Sequence, residues 1–297
     1  MVDVYPMGLI NFNGSACWLN SLIQSLMGSK TINDIILHPK NDNTSKTFLE
    51  YYNIISKVSV NNNNNNSNNE YKIMELSQVM NSLCDDSIHL YNLMNQNDPT
   101  EFLLIFIEKL GKECINATNY AVQKSILCNN HTHNKREENI LMSVSLSNIG
   151  ELQKYLNKHI EDIEYKCDAE TITNNITNTI IKKPMVVTRL SRVPQVLIIM
   201  IKNYHENYSG KIINYPNILE FPTNNNKKWI LNVVSVIEHH GSKNINTIIR
   251  GGSGGHYVCT SHRHDGIYYF NDSNVTRTTT FPKNNNICTI VYERTLL

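Results

Sequence analysis

The sequence predicts an α+β fold, with helices early in the chain and strands late. Three observations carry that expectation. Apolar residues recur at helical spacing in the first part, the pattern switches to a period of two near residue 140, and short β-branched and aromatic runs follow to the end. A length of 297 residues suits one large domain or two modest ones, either with a real core.

The first helix is expected to begin close to Cys17. Asn11, Asn13 and Gly14 form a turn signal, and Leu19, Leu22, Ile23 and Leu26 then repeat at offsets of three and four. Residues 59–70 are polar and aperiodic and read as a surface loop. A second helix starts at Asp98, with Asp98 as cap, Pro99 in the first helical position and Glu101 closing a capping box. Phe102, Ile105, Phe106 and Leu110 would be its buried face. Residues 141–146 alternate and predict a strand, and residues 196–201 are a six-residue apolar run that predicts a buried central strand. Further strands are expected over 229–237, 257–261, 267–270 and 287–292.

Composition excludes several classes. A net charge of +1 argues against non-specific binding to nucleic acid or to an anionic membrane. No apolar run approaches the roughly 20 residues that span a bilayer, and the start of the chain lacks the pattern of a signal peptide. Seven cysteines at irregular spacing are not a disulfide framework, so an intracellular, reducing location in cytoplasm or nucleus is expected. Asparagine makes up roughly one residue in seven, largely in tracts, and carries no functional signal.

Two places hold chemistry. Cys17 sits at a helix start, where backbone N–H groups and the helix dipole favour a thiolate. His256 follows a glycine run (Gly251, Gly252, Gly254, Gly255) and opens a strand, and a second strand then brings Asn271 and Asp272 near it. A cysteine nucleophile needs a base, and the base needs an orienting amide or carboxylate. Cys84, Cys114, Cys259 and Cys288 read as core or loop residues, His239 and His240 as structural or loop residues, and His262 and His264 as part of a solvated hairpin turn.

Five segments resemble the ubiquitin-specific proteases. Residues 8–21, from Gly8-Leu9 through Asn11 and Cys17 to Asn20-Ser21, are similar to the family's cysteine box. Gln96-Asn97-Asp98-Pro99-Thr100-Glu101-Phe102 resembles its Gln-Gln-Asp-x-x-Glu-Phe motif. Residues 193–204 resemble its Leu-Pro-x-x-Leu strand, Gly255-His256-Tyr257 its histidine box, and Phe270-Asn271-Asp272 the box of the third residue. The resemblance spans about residues 8 to 292.

It implies a papain-like cysteine peptidase fold: one catalytic domain with a helical thumb (about 1–125), reduced β fingers (about 126–185) and a β-rich palm (about 186–297). It implies a deubiquitinase with Cys17 as nucleophile, His256 as base, Asn271 as orienter and Asp272 assisting. The family's oxyanion asparagine stands five residues before the cysteine; here that position is Phe12, flanked by Asn11 and Asn13, either of which would supply the donor. Asp98, Glu101, Gly254, Gly255 and Tyr257 would contact the substrate tail. Where relatives hold zinc, the candidates here are Cys128, His131 and Cys167 with Glu170, and the expectation is a site without metal. The implied partner is ubiquitin or a ubiquitinated protein, with the chain acting as a monomer.

Overall fold

The computed structural model describes residues 6, 8–11, 14–38, 46, 49, 97–128, 132–145, 147–162, 185–202, 212–223, 227–241 and 255–295. The polar tract at 59–70 lies outside them.

Helix α1 (Cys17–Leu26) starts where the apolar spacing indicates, but it is buried all round rather than along one stripe. Asn20, Ser21, Gln24 and Ser25 are as enclosed as Leu19, Leu22, Ile23 and Leu26. Polar groups in such a place need partners. Ser21 Oγ donates to the Trp18 carbonyl at 3.0 Å, and the Ser25 and Ser235 hydroxyls lie 2.6 Å apart. The Arg263 guanidinium donates to the Gln24 carbonyl at 3.1 Å and to its side-chain oxygen. The helix is thereby fixed in rotation as well as in depth.

Helix α2 (Lys30–Leu37) is capped by Ser29, whose Oγ accepts the Ile32 N–H at 3.2 Å. Glu293, near the other end of the chain, accepts the Lys30 and Thr31 N–H groups at 2.9 and 2.6 Å. A carboxylate there complements the positive end of the helix dipole. Helix α3 (Pro99–Leu110) is capped by Asp98 through the Thr100 N–H at 2.8 Å, and Glu101 is exposed. Phe102, Leu103, Phe106, Ile107 and Leu110 are buried and Ile105 is half-buried, so the apolar face is turned slightly from the expected one. Phe102 meets Trp18 edge-on at 5.1 Å, which joins α3 to α1. Helix α4 (Lys112–Thr118) follows directly after Gly111, whose φ is 90°.

Two sheets complete the α+β architecture. The smaller contains β1 (Tyr120–Leu127), β2 (Thr132–Asn139), β4 (His159–Asp162) and β5 (Met185–Arg192) in the order β2-β1-β5-β4. The larger contains β3 (Leu141–Ser145), β6 (Val196–Lys202), β8 (Lys228–Gly241), β9 (Gly255–Arg263), β10 (Gly266–Asn271), β11 (Asn274–Thr278) and β12 (Ile287–Thr295). Its order is β11-β10-β9-β8-β12-β6-β3, with β7 (Ile218–Pro222) paired to β8. The apolar run at 196–201 is an interior strand as expected, lying between antiparallel β12 and parallel β3. Helix α5 (Leu152–Asn157) packs beside β7. Its Gln153 side-chain amide donates to the Glu220 carbonyl at 2.8 Å and accepts the Glu220 N–H at 2.7 Å, completing the outward edge of β7 as a neighbouring strand would.

Candidate active site

The start of α1 carries no side-chain cap: Ala16 has no acceptor and the first turn has no acidic residue. Leaving out a good cap costs about 1 kcal/mol, and it leaves main-chain N–H groups and the positive dipole end at Cys17. The turn before it is closed by Asn11, whose Oδ1 accepts the Ala16 N–H at 2.8 Å. Gly14, at φ 69°, is the left-handed residue that this reversal requires.

Strand register brings the histidine and its partners together. In the β8–β9 pair, His256 lies opposite His240 and Gly255 opposite Gly241. In β9–β10, Phe270 faces Cys259, and the same register carried one residue further sets Asn271 diagonal to His256 on the same face. His256 Nε2 is 2.7 Å from Asn271 Oδ1 and 3.6 Å from Asp272 Oδ2. An amide oxygen accepts, so Nε2 carries the proton in that bond and Nδ1 is the nitrogen left for Cys17, the neighbour that acts most strongly on the ring.

The bond to Cys17 is the main reason that the His256 pKa rises from 6.5 to about 9. Burial opposes the rise, while the Asn271 bond and the charges of Cys17 and Asp272 support it. Three other described cysteines are also buried. Burial pushes the Cys114 thiol up to about 12 and drives Cys259 and Cys288 up as well, so these remain inert thiols. Cys17 is as buried as they are but has an imidazole beside it.

The remaining candidates fall in several places. Asp98 and Glu101 line one groove of about 590 Å³ together with Leu104, Glu108 and Glu138. Gly255 packs against the His239 imidazole, which occupies the space a Cβ would need. Tyr257 is buried, its ring 4.5 Å from that of His239, so it faces the interior on the side of the sheet away from His256. His239 and His240 end strand β8 rather than sitting in a loop. His262 belongs to strand β9, edge-on to Phe281 at 5.3 Å, with its pKa lowered by burial and by Arg263; His264 alone of the two is on the exposed turn. Cys128 is half-buried just after β1, and Asn13, His131, Cys167 and Gly254 lie outside the described residues.

One residue was missed. Asn20, 5% exposed, donates from Nδ2 to Asp272 Oδ1 at 2.8 Å and to the Ile10 carbonyl at 3.1 Å. Its signal was present: a polar residue three positions after Cys17, on the cysteine's side of an otherwise apolar helix. Gly8 lies so close to the Asp272 and Ser273 carbonyls that a Cβ there would meet them at 2.6 and 2.5 Å. The Leu9 N–H bonds the Asp272 carbonyl at 2.9 Å, and Asp272 itself has φ 51°.

No curated protein sequence gives a significant match in pairwise comparison. Among solved structures, a chain of the SAGA Ubp8–Sgf11–Sus1–Sgf73 deubiquitinase module bound to ubiquitin aldehyde superposes with a TM-score of 0.71 at 16% identity, covering 98% of this chain and 70% of that one. The same module bound to monoubiquitin gives 0.72 at 16% identity, with 98% and 69% coverage. A yeast SAGA module with a variant Sgf73 gives 0.64 at 14%, with 98% and 69% coverage. At such identities the likeness establishes the fold, which is α+β and papain-like. The sequence profile described as ubiquitin carboxyl-terminal hydrolase matches residues 7–292. A match of that extent over a chain with this thiol–imidazole arrangement means that the protein belongs to the ubiquitin carboxyl-terminal hydrolase family, the cysteine-type deubiquitinating enzymes.

Proposed function

We propose that this chain hydrolyses the isopeptide or peptide bond after the C-terminal glycine of ubiquitin, with Cys17 as nucleophile. The observation that carries the reading is the His256 imidazole held by Asn271 at 2.7 Å, with Cys17 the neighbour that acts on the ring most strongly. In the first half-reaction, with the proton shared by Cys17 and His256 held on the imidazole, the sulfur adds to the carbonyl carbon. The resulting oxyanion faces the uncapped start of α1. Asn11 spends its carbonyl on Ala16, so its Nδ2 is the half of the amide available to donate, together with main-chain N–H groups. Collapse expels the amine, which takes the proton from His256 and leaves a thioester on Cys17. Water then attacks, giving its proton to His256, and the carboxylate leaves as the thiol is restored.

Asn271 holds the ring in the tautomer with Nε2–H, and Asp272 adds negative charge 3.6 Å from the same nitrogen. Asp98 and Glu101 border a groove with Glu108 and Glu138, an acidic setting suited to basic residues of a substrate tail. The chemistry as proposed uses side chains and main-chain amides, without a metal. The described cysteines are all free thiols, a state that a reducing, intracellular compartment would maintain.

The test is cleavage of a fluorogenic amide at the ubiquitin C-terminus. The wild-type protein is expected to release the fluorophore, and Cys17→Ala to lower kcat by about 10⁴-fold or more. An unchanged rate in Cys17→Ala would remove the nucleophile assignment. Ubiquitin binding without turnover in the wild type would make the chain a silent scaffold, and preference for a different ubiquitin-like tail would change the substrate.

A further inference from the structure

We propose that Asn20 is a positioning residue that ties the histidine side of the site to the oxyanion side through Asp272. The inference rests on the thiol–imidazole reading above and adds a residue to which no role has been given. Three acceptors from two chain segments meet at Asn20 Nδ2: Asp272 Oδ1 at 2.8 Å, the Ile10 carbonyl at 3.1 Å and the Leu9 carbonyl at 3.4 Å. An amide nitrogen has two hydrogens, so two of these acceptors are served at full strength, and the two shortest are Asp272 and Ile10.

Each bond reaches one half of the site. The Ile10 carbonyl belongs to the peptide unit that enters Asn11, and Asn11 in turn holds Ala16 at 2.8 Å, one residue before Cys17. On the other side, Asn20 takes Asp272 Oδ1, which leaves Oδ2 facing His256 Nε2 at 3.6 Å. Asn20 therefore holds the carboxylate in the orientation it presents to the imidazole. The main chain backs this tether: the Leu9 N–H bonds the Asp272 carbonyl at 2.9 Å, and Gly8 has no Cβ to keep the two segments apart. With Asn20 at 5% exposure, water does not replace it.

A purely structural asparagine would lower stability and leave the chemistry of the surviving folded fraction alone. A positioning asparagine would act on His256 through Asp272. Removing the donor lets the carboxylate turn, weakens its support for the imidazolium and loosens Asn11. The experiment compares Asn20→Leu, which keeps the volume, and Asn20→Ser, which relieves packing if the leucine variant does not fold. Each is made in the wild-type and Asp272→Asn backgrounds, with folded fraction checked by thermal melting.

Expected are a fall in kcat of roughly 10- to 100-fold with KM changed less than about twofold, as for a small misplacement of reacting groups. The basic limb of the kcat–pH profile and the imidazole titration of His256 followed by NMR are both expected to move to lower pH. In the Asp272→Asn background the same Asn20 variant is expected to add little. An unchanged limb and imidazole titration, or losses that simply add to those of Asp272→Asn, would overturn the proposal. Should the wild-type protein fail to turn over any ubiquitin amide, the functional reading falls, while the NMR titration still judges the tether.

Discussion

Strand β6 encloses Val196, Leu197, Ile198, Ile199 and Ile201, whereas strand β2 exposes every residue from Thr132 to Asn139 except half-buried Glu137. Both are regular strands paired along their length. In the eight-stranded sheet, slipping by one residue would turn the whole buried set towards water, so burial fixes the register. That same register sets Asn271 diagonal to His256. In the four-stranded sheet both faces of β2 are wet, and register rests on main-chain pairing with β1 and on a cross-strand ion pair, Lys124–Glu137 at 2.6 Å. Ångström-scale chemistry has been placed on the sheet that cannot slip. The charged sheet is free to vary its surface.

Substitutions should separate the two regions sharply. The largest effect is expected from His256→Ala, with kcat down by about 10⁴-fold, the upper end of what one positioned acid–base group contributes; a fluorogenic assay on folded protein checks it. Ile198→Ala, in the fully buried part of β6, should cost about 2–5 kcal/mol of unfolding free energy in denaturant titration. Asn271→Ala should lower kcat and shift its pH dependence. His256 must be protonated to deliver a proton to the leaving amine, so the wild-type rate falls as pH rises through about 9. The Asn271 bond is one of the causes that raise this value, so the fall should begin at lower pH in the variant, as a kcat–pH series would reveal. The smallest effect belongs to the charged sheet. Glu137→Gln removes two partly exposed ion pairs and should change stability by less than about 1 kcal/mol, and by less still in high salt. A loss from Glu137→Gln equal to that from Ile198→Ala would erase the distinction drawn between the sheets.

The same contrast explains what could be read from the sequence. Strands β6, β8, β9, β10 and β12 were legible because their burial writes itself as apolar runs or alternation. Strand β2, Thr-His-Asn-Lys-Arg-Glu-Glu-Asn, has no apolar member and so no period to read. Helix α2 was passed over although Ser29 precedes an apolar pattern at Ile32 and Ile36; its second cap comes from Glu293, a partner that local spacing cannot reveal. At the site, Cys17, His256 and Asn271 stood out because cysteine, histidine and amide in that order have a chemical logic. Asn20 did not, since its meaning lies in acceptors 10 and 252 residues away. Tyr257 stands next to His256 in the sequence, yet strand alternation gives the two side chains opposite faces.

The Gln153 clamp on β7 has a consequence for how the protein ages. A single amide supplies both the donor and the acceptor that meet Glu220, and hydrolysis of that amide to a carboxylate would set oxygen against the Glu220 carbonyl. The strand would then offer an unsatisfied Glu220 carbonyl near Ile218, itself 51% exposed, which is the setting in which one molecule adds its sheet to another. The integrity of that sheet edge accordingly rests, far from the sulfur, on one nitrogen atom of a short helix.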